Sequence, residues 1–312
     1  MYKIGVDLGG TNIAVGVVDE NYTMVATAHT PTGAERGADA VIADIANCID
    51  NALLLSGIEV SECAGIGIGS PGSCDAAKGT VRHAYNLNWF DVPVCAKLSE
   101  RFGIPAYLGN DADCAALGEV VAGAARGSED ALMVTLGTGV GGGMIIGGKI
   151  YAGHNTLGGE AGHMCISMDG EPCSCGQKGC WEAYASASAL IRQGEKAARE
   201  NPESKLAQMG KLDGLKIFTA FHEGDAAARA VVEQYCRYIG VGLVNLINFV
   251  YPEVIILGGG VCAQGETLLA PVREYIAENF FVGKRELMPR LVKAALGNDA
   301  GIIGAAALCD RH

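Results

Sequence analysis

Charge is scarce in this chain, and positive charge is scarcer still. Only 19% of the 312 residues are charged, and 23 Lys and Arg face 35 Asp and Glu, a formal balance of −12. A nucleic-acid surface needs a dominant basic patch, so the composition argues against nucleic acid as a partner. A nucleotide stays open, because it needs local donors and Mg²⁺ rather than global positive charge. No apolar run is long enough to span a bilayer, and the N-terminus enters a strand pattern at once, without a signal-peptide layout. The twelve cysteines lack the spacing of a small disulfide scaffold, which fits a reducing cytosol. Low-complexity segments and obvious linkers are missing as well. So are a Walker lysine pattern and a G-x-G-x-x-G, which leaves a P-loop or Rossmann reading with little support. The expectation is a cytoplasmic protein with neither a nucleic-acid nor a membrane partner.

The length suits two domains or one large one, and an apolar content of 49% supports a large core. Forty-five glycines are about twice the usual share, so many close backbone approaches are expected. Lys3 to Asp19 reads strand, turn, strand around Gly9-Gly10-Thr11-Asn12. Glycines there let backbone N–H groups approach an anion, Thr11 adds a hydroxyl, and Asp7 is placed to hold a hydrated Mg²⁺. An ordinary glycine hairpin would look the same. Leu136-Gly137-Thr138-Gly139, followed by Val140 to Gly143, repeats the pattern about 130 residues on. Two such hairpins suggest a duplicated domain whose turns could hold a nucleotide's phosphates. A third glycine turn, Gly258-Gly259-Gly260, ends the apolar run Glu253 to Leu257 and fits either the adenosine side of such a site or a plain connection.

Helical periodicity covers residues 38–55, 183–201, 225–249 and 268–280, and a small-residue helix is expected over Ile302 to Leu308, packing back on the first lobe. Asn86, Asn88 and Trp89 form a polar loop that reads either as sugar-binding surface or as a turn capped by the indole. The strand Ile104 to Leu108 runs into Gly109-Asn110-Asp111 and a helix. Asn and Asp there are preferred caps, but a carboxylate held ionised by a helix N-terminus also suits a proton acceptor. Asp113, on a different face, is the rival base.

His163, Cys173, Cys175 and Cys180 fall within eighteen residues, and imidazole plus three thiolates is a preferred tetrahedral zinc set. Gly176 and Gly179 provide the turns that fold this loop back on itself. Four protein ligands leave no open position, which points to a structural ion. Cys165 is a spare sulfur nearby that could replace a ligand. A metal-bound His163 would present its other ring nitrogen at a fixed spot, close in sequence to Glu160 and Glu182.

The pattern Glu160-x-Gly162-His163-Met164, then Cys173-x-Cys175-Gly176-x-x-Gly179-Cys180-x-Glu182, resembles the zinc signature of the ROK family, which comprises bacterial sugar kinases and related transcriptional repressors. The resemblance is nearest to the family's glucokinases. Asp7-Leu8-Gly9-Gly10-Thr11, Gly109-Asn110-Asp111, Gly137-Thr138-Gly139 and Gly258-Gly259-Gly260 match in the family's order, so it covers most of the chain. It implies a two-lobed α/β fold of the actin-like ATPase (ribonuclease H-like) kind, with a duplicated domain and a zinc loop. The lobes are expected at 1–118 plus 300–312, and at 119–299. The implied activity is ATP-dependent phosphorylation of glucose at O6, with Mg²⁺ and a structural Zn²⁺. Asp111 would be the general base, while Asn110, Glu160, His163 and Glu182 would bind sugar alongside it. Asp7, Gly9, Gly10, Thr11, Gly137, Thr138, Gly139, Gly258, Gly259 and Gly260 would serve the nucleotide. Another hexose (N-acetylmannosamine, N-acetylglucosamine or fructose) or a sugar sensor without turnover are the alternatives. Family repressors carry a DNA-binding domain ahead of the first hairpin; with six residues before Asp7, none is expected here. The expected assembly is a homo-oligomer, dimer or tetramer.

Overall fold

Three β-rich runs open the chain as an antiparallel ribbon: β1 (Tyr2–Leu8), β2 (Asn12–Val18) and β3 (Met24–Pro31). The computed structural model describes residues 1–310. Helix α1 (Ala38–Ser56) buries the stripe Val41, Ile42, Ile45, Ile49 and Leu53, and stops at Gly57, whose left-handed φ of 70° closes the last turn. Next come β4 (Cys63–Ser70), a meander of β5 (Ser73–Asp75), β6 (Thr80–Ala84) and β7 (Trp89–Val92), then α2 (Val94–Phe102), β8 (Ala106–Asn110) and α3 (Asp111–Val121). A second ribbon, β9 (Ala131–Leu136), β10 (Val140–Ile146) and β11 (Lys149–Ile150), precedes the Cys-rich loop.

Beyond that loop lie α4 (Glu182–Ala185), α5 (Ala187–Glu200), α6 (Lys205–Gln208), α7 (Gly214–His222) and α8 (Ala226–Val250). The single helix expected over 183–201 is two, because Ser186 breaks it and caps the second: its hydroxyl oxygen accepts the Ala189 N–H at 3.1 Å. The chain continues through β12 (Val254–Gly258), α9 (Glu266–Asn279), β13 (Arg290–Lys293) and α10 (Asp299–Ala307). Among the described residues no helix is long and apolar enough to cross a membrane.

The two large sheets follow one plan. Their strand orders are β3-β2-β1-β4-β8 and β11-β10-β9-β12-β13: a hairpin ribbon, then two later strands added beside its first. The added strands run parallel, β1 with β4, β4 with β8, and β12 with β13. A repeated order of this kind is what duplication leaves behind.

Contacts divide the chain into two compact units, Met1–Leu132 with Gly143–Gly159 and Ala294–His312, and Met133–Gly142 with Glu160–Lys293. In the first unit the sheet is covered on both faces. Ile4, Val6, Ile66 and Ile68 point into a core shared with α1 and α2. The alternate residues Gly5 and Gly67 point the other way, where α10 lies so close that a Cβ on either would overlap a carbonyl of Ile302 or Ala305. Helix α10 packs equally closely on α3, with Gly304 against the Cys114 carbonyl. The small-residue helix expected at 302–308 thus begins three residues earlier and sits, as expected, on the first sheet. In the second unit β12 is wholly buried, and α8 is the central helix, capped by the Asp225 carboxylate accepting from Ala228 at 2.7 Å.

Candidate active site

In the first unit the parallel strands end together. Their register pairs Asp7 with Gly69 and Ser70 with Asn110, so the ends of β1, β4 and β8 form one ledge, the place where open α/β sheets bind ligands. Asn110 is both the last residue of β8 and the N-cap of α3. Its Oδ1 accepts the N–H groups of Ala112 (2.9 Å) and Asp113 (3.3 Å), and its Nδ2 donates to the Gly72 carbonyl at 3.2 Å. The capping reading therefore holds, and the Asn110 side chain hydrogen-bonds to the Asp111 carboxylate as well.

Asp111 is the first residue of α3 and also accepts from the Ala112 N–H, at 2.9 Å. Burial raises its pKa above the ordinary 3.8, and the backbone hydrogen bonds only partly oppose this. Desolvation outweighs the hydrogen bonds at the helix end, so this carboxyl is more basic than a solvated one. Asp7 nearby is pushed up to about 6, first by burial and then by the charge of Asp111. Gly301 leaves room for the Asp7 carboxylate, 2.7 Å from where a Cβ would stand. Asp113 is almost fully buried.

The first glycine turn closes on itself, with the Gly9 N–H donating to the Asn12 carbonyl at 2.9 Å. That amide is spent, so any anion must use the later amides and Thr11, whose side chain is exposed. Thr32, which no motif singles out, holds this turn in place. It is fully buried; its hydroxyl donates to the Gly9 carbonyl (2.7 Å) and its N–H to the Thr11 carbonyl (2.8 Å). Trp89 is also fully buried, as the first residue of β7. The two readings of it, a sugar-facing platform or a surface turn cap, are both corrected to a core residue.

In the second unit the candidate ligands converge. One ligand atom from each of His163, Cys173, Cys175 and Cys180 lies within 4.8 Å of the others. The Cys175 and Cys180 sulfurs are 3.7 Å apart, and Zn–S bonds of about 2.3 Å at a tetrahedral angle require about 3.8 Å. His163 turns Nδ1 toward Cys173 Sγ (3.7 Å), which leaves Nε2 on the far side of the ring. Hydrogen bonding from the Gln177 N–H lowers the Cys175 pKa, favouring the thiolate that a metal needs. The chemistry and spacing of the set therefore fit zinc. Cys165 stands outside it, donating its thiol to the Lys178 carbonyl at 3.8 Å while its backbone bridges to Cys180. Gly176 and Gly179 take left-handed φ values of 89° and 76°, which the tight loop demands. Trp181 anchors the loop: its buried indole donates to the Tyr238 carbonyl (2.7 Å) and packs where Gly242 leaves space on α8.

The second and third glycine turns meet in this unit. Gly259, at φ 91°, lies against the Leu136 carbonyl so closely that a side chain there would overlap it. Gly137 donates to the Gly139 carbonyl (3.0 Å) and accepts from Ala187 (2.8 Å), leaving Thr138 exposed at the tip. Gly258 is buried at the end of β12, while Gly260 is exposed. Glu160 is exposed at the start of the short turn carrying His163, whose N–H it accepts at 3.0 Å through its carbonyl. Glu182 Oε2 accepts the Val140 N–H at 3.0 Å, and Oε1 accepts the Ser174 hydroxyl at 3.3 Å. Proximity in sequence places this carboxylate with the metal loop alone; the structure puts it against the second glycine turn as well.

A model described as the ROK family matches residues 3–312. The chain is similar to a glucokinase of Halalkalibacterium halodurans, 37% identical over 314 residues, which cover 97% of this chain and 93% of that one. A glucokinase of Streptomyces coelicolor is 36% identical over 312 residues, 98% of this chain and 96% of the other. Among solved structures, a ROK family glucokinase from Streptomyces griseus in complex with glucose and AMPPNP aligns with a TM-score of 0.79 at 35% identity, covering 100% of both chains.

Proposed function

The chain belongs to the ROK family, and from that premise we propose that it transfers the γ-phosphoryl group of ATP to O6 of glucose. The fold is the family's two-lobed α/β actin-like ATPase fold. The observation that carries the reading is Asp111, a half-buried carboxyl at the first turn of a helix, set on the same ledge as Asp7 and the first glycine turn.

Asp111 is the general base. Its raised pKa makes it a better proton acceptor than a solvated carboxylate. It accepts the proton from O6 as O6 forms its bond to the γ-phosphorus and the bond to ADP breaks. The transition state is loose, so positioning and charge stabilisation do most of the work. Asn110, Glu160, His163 and Glu182 orient the sugar. The amides and hydroxyls around Thr11 and Thr138 receive phosphate, with Gly259 and Gly260 on the nucleoside side.

Asp7 would hold hydrated Mg²⁺, which supplies positive charge against the phosphates and the two neighbouring carboxylates; the mutual repulsion of Asp7 and Asp111 fits a cation there. His163, Cys173, Cys175 and Cys180 would hold zinc as a closed structural set. The cysteines are all free thiols, which suits a reducing, cytosolic setting.

A coupled ADP-release assay across glucose, N-acetylmannosamine, N-acetylglucosamine and fructose tests the reading. Glucose should give the highest kcat/KM. A different preferred hexose overturns the substrate, and no ADP release with any sugar overturns the enzyme.

A further inference from the structure

We propose that Glu182 is a positioning residue for the phosphate-binding turn Gly137–Gly139, coupling that turn to the metal loop, besides its role toward sugar. The proposal rests on the reading that this turn receives the nucleotide's phosphates.

The turn is pinned on both flanks. On its leading side the Ala187 N–H holds the Gly137 carbonyl (2.8 Å), and the Gly137 N–H closes on the Gly139 carbonyl (3.0 Å). On its trailing side the Val140 N–H needs a partner, because Val140 is buried. That partner is Glu182 Oε2 at 3.0 Å, a charge-assisted bond. A Cβ at Gly139 would come within 2.3 Å of Oε2 and force the carboxylate to shift. The carboxylate's other oxygen takes the hydroxyl of Ser174, which sits between the metal ligands Cys173 and Cys175. Glu182 is itself fixed as the first residue of α4, whose start is closed by the Ala183 N–H on the Cys180 carbonyl at 3.0 Å. One side chain thus spans from the middle of the metal loop to the base of a glycine turn. Order in the loop sets where Oε2 stands, and Oε2 sets the trailing flank of the turn.

A residue serving sugar alone would leave nucleotide affinity untouched when changed, which separates the two roles. Calorimetry on the full chain, without sugar, measures AMPPNP binding to the parent and to Glu182→Ala, Glu182→Gln and Ser174→Ala; glucose binding is measured separately. Glu182→Ala should weaken AMPPNP by about tenfold or more, the size of a lost hydrogen bond to a charged group. Glu182→Gln should restore AMPPNP to within about threefold of the parent, because its carbonyl can accept from Val140 and its amide can donate to Ser174. Its glucose affinity should stay low, since a carboxylate's acceptors are lost. Ser174→Ala, which keeps all four metal ligands, should weaken AMPPNP by a smaller factor, because Cys173 Sγ still meets Oε1 at 3.8 Å. AMPPNP affinity within about twofold of the parent in both Glu182→Ala and Ser174→Ala overturns the proposal. So does a Glu182→Gln variant with the parent's thermal midpoint and the AMPPNP affinity of the Ala variant. Should Glu182→Ala fail to fold, the other two variants decide. A parent that binds no AMPPNP overturns the functional reading beneath the proposal, and the proposal with it.

Discussion

Replacing Asp111 by Asn should make the protein inactive and more stable at once. The activity loss follows from chemistry: Asn keeps the volume and can still accept the Ala112 N–H, but it cannot take a proton. A general base contributes roughly 10²–10⁴ in rate, about 3–5 kcal/mol of barrier. The stability gain follows from electrostatics. Asp7 is raised from an ordinary 3.8 to about 6, which corresponds to roughly 3 kcal/mol lost on ionisation in the folded chain. Burial is the larger cause and the Asp111 charge the smaller, so removing that charge should return about 1 kcal/mol, or roughly 2–4 °C in Tm. The sign is fixed by linkage. A carboxyl raised on folding binds its proton more tightly in the native state, so stability is greatest below the unfolded pKa and is lost as pH rises through about 6. The Tm gain should therefore be present at about pH 7.5 and absent near pH 4. Coupled assays give kcat, scanning calorimetry at both pH values gives Tm, and titration with glucose confirms that sugar still binds. A kcat within about tenfold of the parent refutes the base and moves attention to Asp113. A lower Tm at neutral pH refutes the account of two half-buried, mutually repelling carboxylates.

Thr32→Val removes the hydroxyl that holds the Gly9 carbonyl and should raise KM for ATP about five- to tenfold, with glucose affinity unchanged and Thr32→Ser restoring it; equal changes for both substrates would assign Thr32 to general stability. The acid limb of kcat/KM should lie above the ordinary carboxylate range, because burial raises Asp111; activity falls as pH drops through it, and a midpoint near the ordinary value of about 4 would contradict the burial described. Elemental analysis should find about one zinc per chain, and Cys175→Ala should lose both the metal and glucose affinity, with a smaller loss of AMPPNP affinity through Glu182; normal glucose binding by zinc-free protein would cut the link between metal and sugar.

What the sequence made legible was local chemistry. A His and three Cys at close spacing name a metal set without any coordinates, and the atoms do converge. Two strand–glycine–strand hairpins name a duplication, and the sheets repeat one order. Cys165 could not be set aside by spacing, only by where its thiol points. Asp111 was visible as a residue, but its electrostatic state was not, since burial depends on what packs around the ledge. Thr32 and the Val140 contact of Glu182 were invisible, because both depend on distant segments brought together by pairing: Asn12 lies opposite Pro31, and Glu182 reaches back to β10. Trp89 in a polar run looked like surface and is core, a case of packing overriding local composition.

The glycine-lined face that receives α10 also constrains how the chain is made. Ile302 covers Gly5, a separation of about 300 residues, so a ribosome releases β1 long before the helix that seals it exists. During synthesis the first sheet waits with one face bare. Most of the second unit, Glu160–Lys293, emerges in the interval and can form its own core first. A nascent chain stalled before Asp299 would present an open apolar surface to its neighbours, and chaperones should hold such stalled chains far more than the finished protein.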